Sequence, residues 1–152
     1  MKPQTIIWVA NRDAPIKGGN GSLTLTANSL DLLDRRGNKV WSGGTLSTNS
    51  PQAFLLDSGN LIVNDSTSNS PLWKSFDQPC NTLLSGMKIG YDTSANQYLQ
   101  LRSWKSDLDP SSGDYYLRLD PRKLPDVLLF HSSVLIYRMG HGMVRGSAVF
   151  LF

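Results

Sequence analysis

Leu32-Leu33-Asp34-Arg35-Arg36-Gly37-Asn38-Lys39-Val40-Trp41 returns further along the chain as Leu55-Leu56-Asp57-Ser58-Gly59-Asn60-Leu61-Ile62, and Trp73 follows the second copy as Trp41 closes the first. Apolar pairs around an Asp-x-Gly-Asn core read as two short strands joined by a tight turn. Gly and Asn tolerate positive φ, and an Asp side chain hydrogen-bonds the backbone just after it. Aligned on its aspartate, the second copy has one fewer turn residue. Each copy is predicted to be a hairpin followed by a Trp-bearing strand. Trp8, Trp41, Trp73 and Trp104 stand 33, 32 and 31 residues apart. A period of roughly 20–50 residues marks repeated supersecondary units, each burying its large side chains against a neighbour.

Composition supports an all-β reading. Thirteen glycines and eight prolines against only 18% charged residues suit a turn-rich chain, and no amphipathic helical pattern appears. Strands are predicted at 5–10, 22–26, 29–33, 39–41, 52–57, 60–63 and 72–76, then at 98–104, 114–120, 126–130 and 134–137. Residues 45–51 and 65–71 are loops rich in Ser, Thr and Asn. Around 78–90 the pattern breaks at Pro79, Gly86 and Gly90, which reads as a connector. Asp109-Pro110-Ser111-Ser112-Gly113 is predicted to be a turn, because Pro presets φ and Gly accepts the reversal.

Several function classes are excluded. The net charge of +3 lies in scattered pairs such as Arg35-Arg36, without the basic stripe and interleaved aromatics of a nucleic-acid binder. Cys80 is the single cysteine, so no intrachain disulfide or thiolate metal site can form, and nothing near it in sequence activates a thiol. His131 and His141 stand in the weakly patterned end, away from any paired nucleophile. Asp107, Asp109, Asp114 and Asp120 lack the spacing of a calcium loop. No cofactor, metal or catalytic residue is expected. Neither a signal peptide nor a span long enough for a bilayer is read in the chain.

The runs Trp8-Val9-Ala10-Asn11-Arg12-Asp13-Ala14-Pro15-Ile16, Leu55-Leu56-Asp57-Ser58-Gly59-Asn60-Leu61 and Leu72-Trp73-Lys74-Ser75-Phe76-Asp77-Gln78-Pro79 are more specific. With Thr82-Leu83-Leu84-Ser85-Gly86-Met87-Lys88-Ile89-Gly90, Ser103-Trp104-Lys105-Ser106 and Asp109-Pro110-Ser111-Ser112-Gly113-Asp114-Tyr115, they make the chain resemble the ectodomain of plant S-locus glycoproteins and S-domain (G-type lectin) receptor-like kinases. That resemblance implies a bulb-type lectin β-prism: three four-stranded sheets around a pseudo-threefold axis, with Trp8, Trp41 and Trp73 as structural core. It further implies a lectin domain at 1–85 lacking its N-terminal part, a connector at 86–97, and a partial second lectin-like module at 98–152. The kinase of the full-length receptors is expected to be absent.

Bulb lectins hold mannose on a Gln-x-Asp-x-Asn-x-Val-x-Tyr strand. Aligned on Asn60, this chain offers Leu56, Ser58, Asn60, Ile62 and Asn64; aligned on Asn38 it offers Asp34, Arg36, Asn38, Val40 and Ser42. Ser58, Asn60, Ile62 and Asn64 are therefore a degraded carbohydrate site, since a hydroxyl-rich ligand needs every lost water bond replaced. Asn20 and Asn64 head N-glycosylation triplets. The resemblance points to a non-catalytic recognition module, extracellular or at the plasma-membrane surface, taking a protein ligand or glycan and no nucleic acid, and dimerising with a related ectodomain. Its contacts are expected from loops 11–21 and 43–51. A mannose-type lectin and an inactive truncated gene product are the alternatives.

Overall fold

The computed structural model describes residues 5–120 and 126–139. Among these the fold is all-β, with twelve strands, one 3-10 turn at Ser75–Asp77 and no α-helix. It divides into two compact units: Val9–Ser75, and the residues up to Trp8 together with those from Phe76 onward.

The Val9–Ser75 unit holds two antiparallel three-stranded sheets. Strands β1 (Gly21–Leu25), β2 (Ser29–Asp34) and β3 (Lys39–Thr45) lie in that order, as do β4 (Pro51–Leu55), β5 (Leu61–Asp65) and β6 (Pro71–Lys74). The two sequence copies fold alike. Asp34 N donates to Asn38 O at 2.9 Å and Gly37 N to Asp34 O at 3.0 Å, while Leu56 N donates to Asn60 O at 3.0 Å and Gly59 N to Leu56 O at 2.9 Å. Gly37 and Gly59 hold φ of 83° and 85°, in the left-handed region where only glycine is unstrained. The two turns therefore have equal length and align on Gly-Asn, placing Asp34 opposite Leu56. An alignment on the aspartates loses one residue for that reason.

Trp41 on β3 and Trp73 on β6 occupy the third strand of their respective sheets, as the repeat predicts. Their rings meet edge-on, with centroids 5.9 Å apart. In the same two sheets Leu30 is 1% exposed and Val63 fully buried, each such side chain contributing about 1.5–3 kcal/mol by leaving water. The sheets have three strands where the resemblance implied four. Residues 5–10, predicted to be a strand, belong to none of the sheets among the described residues. Directly after them the chain reverses: Ala14 N donates to Asn11 O, and the Asn11 amide donates to Ala14 O, both at 2.9 Å. This β-turn, with Pro15 after it, ends the extended run.

In the second unit β7 (Gly90–Asp92) and β8 (Gln97–Leu99) form a hairpin, and β9 (Leu101–Ser106), β10 (Asp109–Asp120), β11 (Asp126–His131) and β12 (Val134–Met139) form a sheet in the order β12-β11-β10-β9. The β7–β8 turn is held by Asp92, whose Oδ1 accepts from Ser94 N at 2.9 Å and Ala95 N at 3.1 Å. Residues 78–90 supply part of the interior: Cys80, Met87 and Ile89 are all buried, as are Leu119, Val127, Leu128 and Phe130. Arg102 N donates to Cys80 O at 2.7 Å.

Two expectations change in this unit. Trp104 lies on β9, an edge strand that opens its sheet, so the even tryptophan spacing extends past the structural repeat. The reversal predicted at 109–113 falls instead at residues 107–108, and Pro110 sits inside β10. Proline is tolerated there because β11 pairs only with β10 from Tyr115 onward, leaving the first half of β10 with β9 alone. Gly113 permits the close approach of β9. A Cβ at that position would lie 2.4 Å from both Ser103 Oγ and the Trp104 carbonyl oxygen.

Candidate functional site

The residues aligned with a mannose site span the turn and strand that carry the second repeat. Ser58 is exposed in the turn, where its Oγ accepts from Asn60 N at 3.4 Å. Asn60 Oδ1 accepts from Ser75 Oγ at 3.1 Å, and Ser75 Oγ itself accepts from Leu61 N at 3.0 Å. Ser75 is 1% exposed, so this link holds the start of β5 to the end of β6 from within the unit. Ile62 pairs with Phe54 and Lys74, and Asn64 with Gln52 and Pro71. The Asn64 amide donates to Asn69 Oδ1 at 3.3 Å while its own Oδ1 is buried. The hairpin thus brings the residues into one row, with Asn60 and Asn64 both engaged by neighbouring residues.

Asp65, next along β5, anchors both adjoining loops. Its carboxylate accepts from the Thr48 and Thr67 hydroxyls, from Thr67 N at 2.7 Å and from Ser68 N at 2.9 Å. These bonds, that of Thr48 foremost, hold its carboxyl well below the ordinary carboxylate range. Of the two glycosylation triplets, Asn20 is exposed ahead of β1 and Asn64 is half-buried on β5.

At the first repeat Asp34 serves the turn. Its Oδ1 accepts from Arg36 N and Asn38 N, both at 2.8 Å, and its Oδ2 from the Asn38 amide at 2.9 Å. Pro15, Ile16 and Lys17 lie beside Asp34, Arg36 and Val40 across a shallow groove. Trp8, on no strand, belongs with the second unit, where its indole N–H donates to the Gln78 carbonyl at 3.0 Å. His131 ends β11 and stacks on Tyr115 with centroids 4.5 Å apart. His141 is outside the described residues.

One cluster was not anticipated. The Arg118 guanidinium lies 4.4 Å from the Tyr98 ring centroid and 4.6 Å from that of Phe130, and Arg102 lies 5.6 Å from the Tyr116 ring. Tyr116 and Phe130 stack at 4.9 Å. The signal available in sequence is the Tyr116-x-Arg118 alternation, which puts both side chains on one face of β10.

Paired hairpin-plus-tryptophan sheets make this an all-β domain of lectin type. The family model for D-mannose binding lectin matches residues 5–105, and the chain belongs to that family. It is 41% identical over 143 residues to the S-locus-specific glycoprotein S6 of Brassica oleracea, covering 90% of this chain and 33% of the glycoprotein. It is 41% identical over 148 residues to the receptor-like serine/threonine-protein kinase SD1-8 of Arabidopsis thaliana, covering 92% of this chain and 17% of the kinase. Against the G-type lectin S-receptor-like serine/threonine-protein kinase SD1-29 of Arabidopsis thaliana the identity is 39% over 140 residues, covering 91% and 17%. The chain therefore spans a third or less of these relatives, and residues 5–105 of it answer to the lectin model. Among the described residues no helix is long and apolar enough to cross a membrane.

Proposed function

We propose that this chain is a non-catalytic recognition module acting at the outer cell surface, in signalling of the S-locus glycoprotein and S-domain receptor type, and that it does not hold mannose on the 56–64 strand. The observation that carries the reading is the engagement of Asn60 by Ser75 and of Asn64 by Asn69. A sugar would have to break those bonds, and Leu56 and Ser58 replace two of the polar partners it needs. Each missing hydrogen bond forfeits about 0.5–1.5 kcal/mol, which is most of a weak monosaccharide affinity.

The division into a lectin domain at 1–85, a connector at 86–97 and a second module at 98–152 belongs to this proposal, with contacts made by loops 11–21 and 43–51 on a protein or glycan ligand. Residues 11–20 support that role through exposure and through Gly18 and Gly19 at positive φ, a shape set by backbone rather than by packing. Asn20, being exposed, is the favoured glycan acceptor. Pairing with a related ectodomain stays a separate expectation, for which sedimentation against such a partner is the test. A mannose column decides the central point: the chain should pass unretained. Retention that Asn60→Ala abolishes would establish the mannose-lectin reading in its place.

A further inference from the structure

An open groove of about 530 Å³ lies in the second unit, lined by Tyr98 and Gln100 next to the β7–β8 hairpin, Arg102, Tyr116 and Arg118 on the sheet, and Ser133 in the β11–β12 turn. Among the described residues no carboxylate lines it. We propose that this groove binds an acidic saccharide, with the Arg118 guanidinium receiving a uronate carboxylate and the surrounding amides and hydroxyls receiving the sugar hydroxyls.

Arg118 is the centre of the site. Two rings within 4.6 Å of its guanidinium carbon hold the group, leaving its in-plane N–H donors to find acceptors. Among the described residues it makes no hydrogen bond and no ion pair, although it is half-buried. A partly desolvated guanidinium needs an oxyanion, and its planar fork matches a carboxylate through two parallel bonds. Arg102 adds a second positive charge, fixed in place by its Nε donating to the Gly113 carbonyl at 2.8 Å. The rest of the lining separates a saccharide from a bare anion. Asn96, Gln97 and Gln100 offer amides and Ser132 and Ser133 hydroxyls, a surplus of donors and acceptors that an isolated carboxylate leaves unused. The size falls within the range of small-ligand sites, roughly 300–1,000 Å³. This groove shares no residue with loops 11–21, loops 43–51 or the 56–64 strand, and the inference does not rest on the function proposed above.

The test is calorimetric titration of the full chain with trigalacturonate, and with galactotriose as its neutral counterpart. Trigalacturonate should bind at least about tenfold more tightly, with the gap narrowing as salt is added. Arg118→Gln should remove about tenfold of that affinity or more, and Ser133→Asp, which sets a carboxylate at the groove's rim, should weaken it while leaving the melting temperature unchanged. Should Arg118→Gln fail to fold, Ser133→Asp alone carries the comparison. Equal binding of acidic and neutral sugars would overturn the proposal, as would an unaltered affinity in a folded variant. So would displacement of trigalacturonate by inorganic phosphate or a pentaaspartate peptide at matched concentration, which would mark a plain anion site.

Discussion

The Trp41 and Trp73 rings pack at an interplanar angle of 75°, and Gly43 sits against both. A Cβ on Gly43 would lie 3.1 Å from Trp73 Nε1 and 3.2 Å from the Trp41 ring, so the missing side chain is what lets the two indoles meet. Trp73→Ala should lower unfolding free energy by about 3–5 kcal/mol through the cavity it leaves. Gly43→Val should cost about 1–3 kcal/mol by forcing the rings apart. Urea unfolding followed by tryptophan fluorescence measures both; a neutral Gly43→Val would mean that the rings can move aside freely.

Gly113 and Gly37 should respond differently to alanine. At Gly113 the new Cβ meets a backbone carbonyl that cannot rotate away, so β9 and β10 must separate locally and Ser103→Ala should bring no rescue. At Gly37 the space is open and only the φ of 83° opposes the change, at about 1 kcal/mol. Amide exchange across residues 101–106 should accelerate in Gly113→Ala and stay unchanged in Gly37→Ala.

Acid sensitivity should centre on Asp31. Burial pushes its carboxyl up, but the Lys39 ammonium at 2.7 Å with Ser42 and Ser29 outweighs this and holds it at about 2, below its ordinary 3.8. A carboxyl lowered on folding adds stability that is full above its unfolded value and lost as pH falls, over a window from roughly 4 to 2. Because Lys39 is 54% exposed, solvent screening limits the contribution to on the order of 1 kcal/mol. Lys39→Met should be less stable than the parent at pH 7 by that amount, and the gap should have largely closed at pH 2. A difference that persists at pH 2 would place the effect of Lys39 in packing instead.

Ser75→Ala tests the link between strands in the second repeat. It strips the partner from Leu61 N in a site that is 1% exposed, at a cost of about 1–3 kcal/mol. Thermal melts should show the loss, and Ser75→Thr should recover part of it.

Much of the first unit was legible because its signals are local. Alternating apolar residues, Gly37 and Gly59 in their turns, and tryptophans closing each copy all report on neighbours a few residues away, and β1 to β6 formed within one to four residues of their expected bounds. Errors arose where structure depends on a distant partner. Residues 5–10 have strand composition but enter none of the described sheets, and Pro110 looked like a turn because nothing local reveals which half of β10 lacks a second neighbour. The row from Ser58 to Asn64 could be aligned from sequence, whereas the hold of Ser75 on Asn60 depends on the hairpin closing. Arg118 between two rings joins three strands and has no linear motif.

Pro110 also bears on assembly. Having no N–H, it leaves a gap in the hydrogen-bonding margin of β10 where a foreign strand would otherwise dock. At the opposite end of the same sheet, β12 presents Val134, Leu135, Ile136 and Tyr137, all more than 40% exposed, along the border of the described sheet. Any growth of this sheet into fibrils or clumps would start there, and a single lysine in place of Ile136 would put a gatekeeper on it.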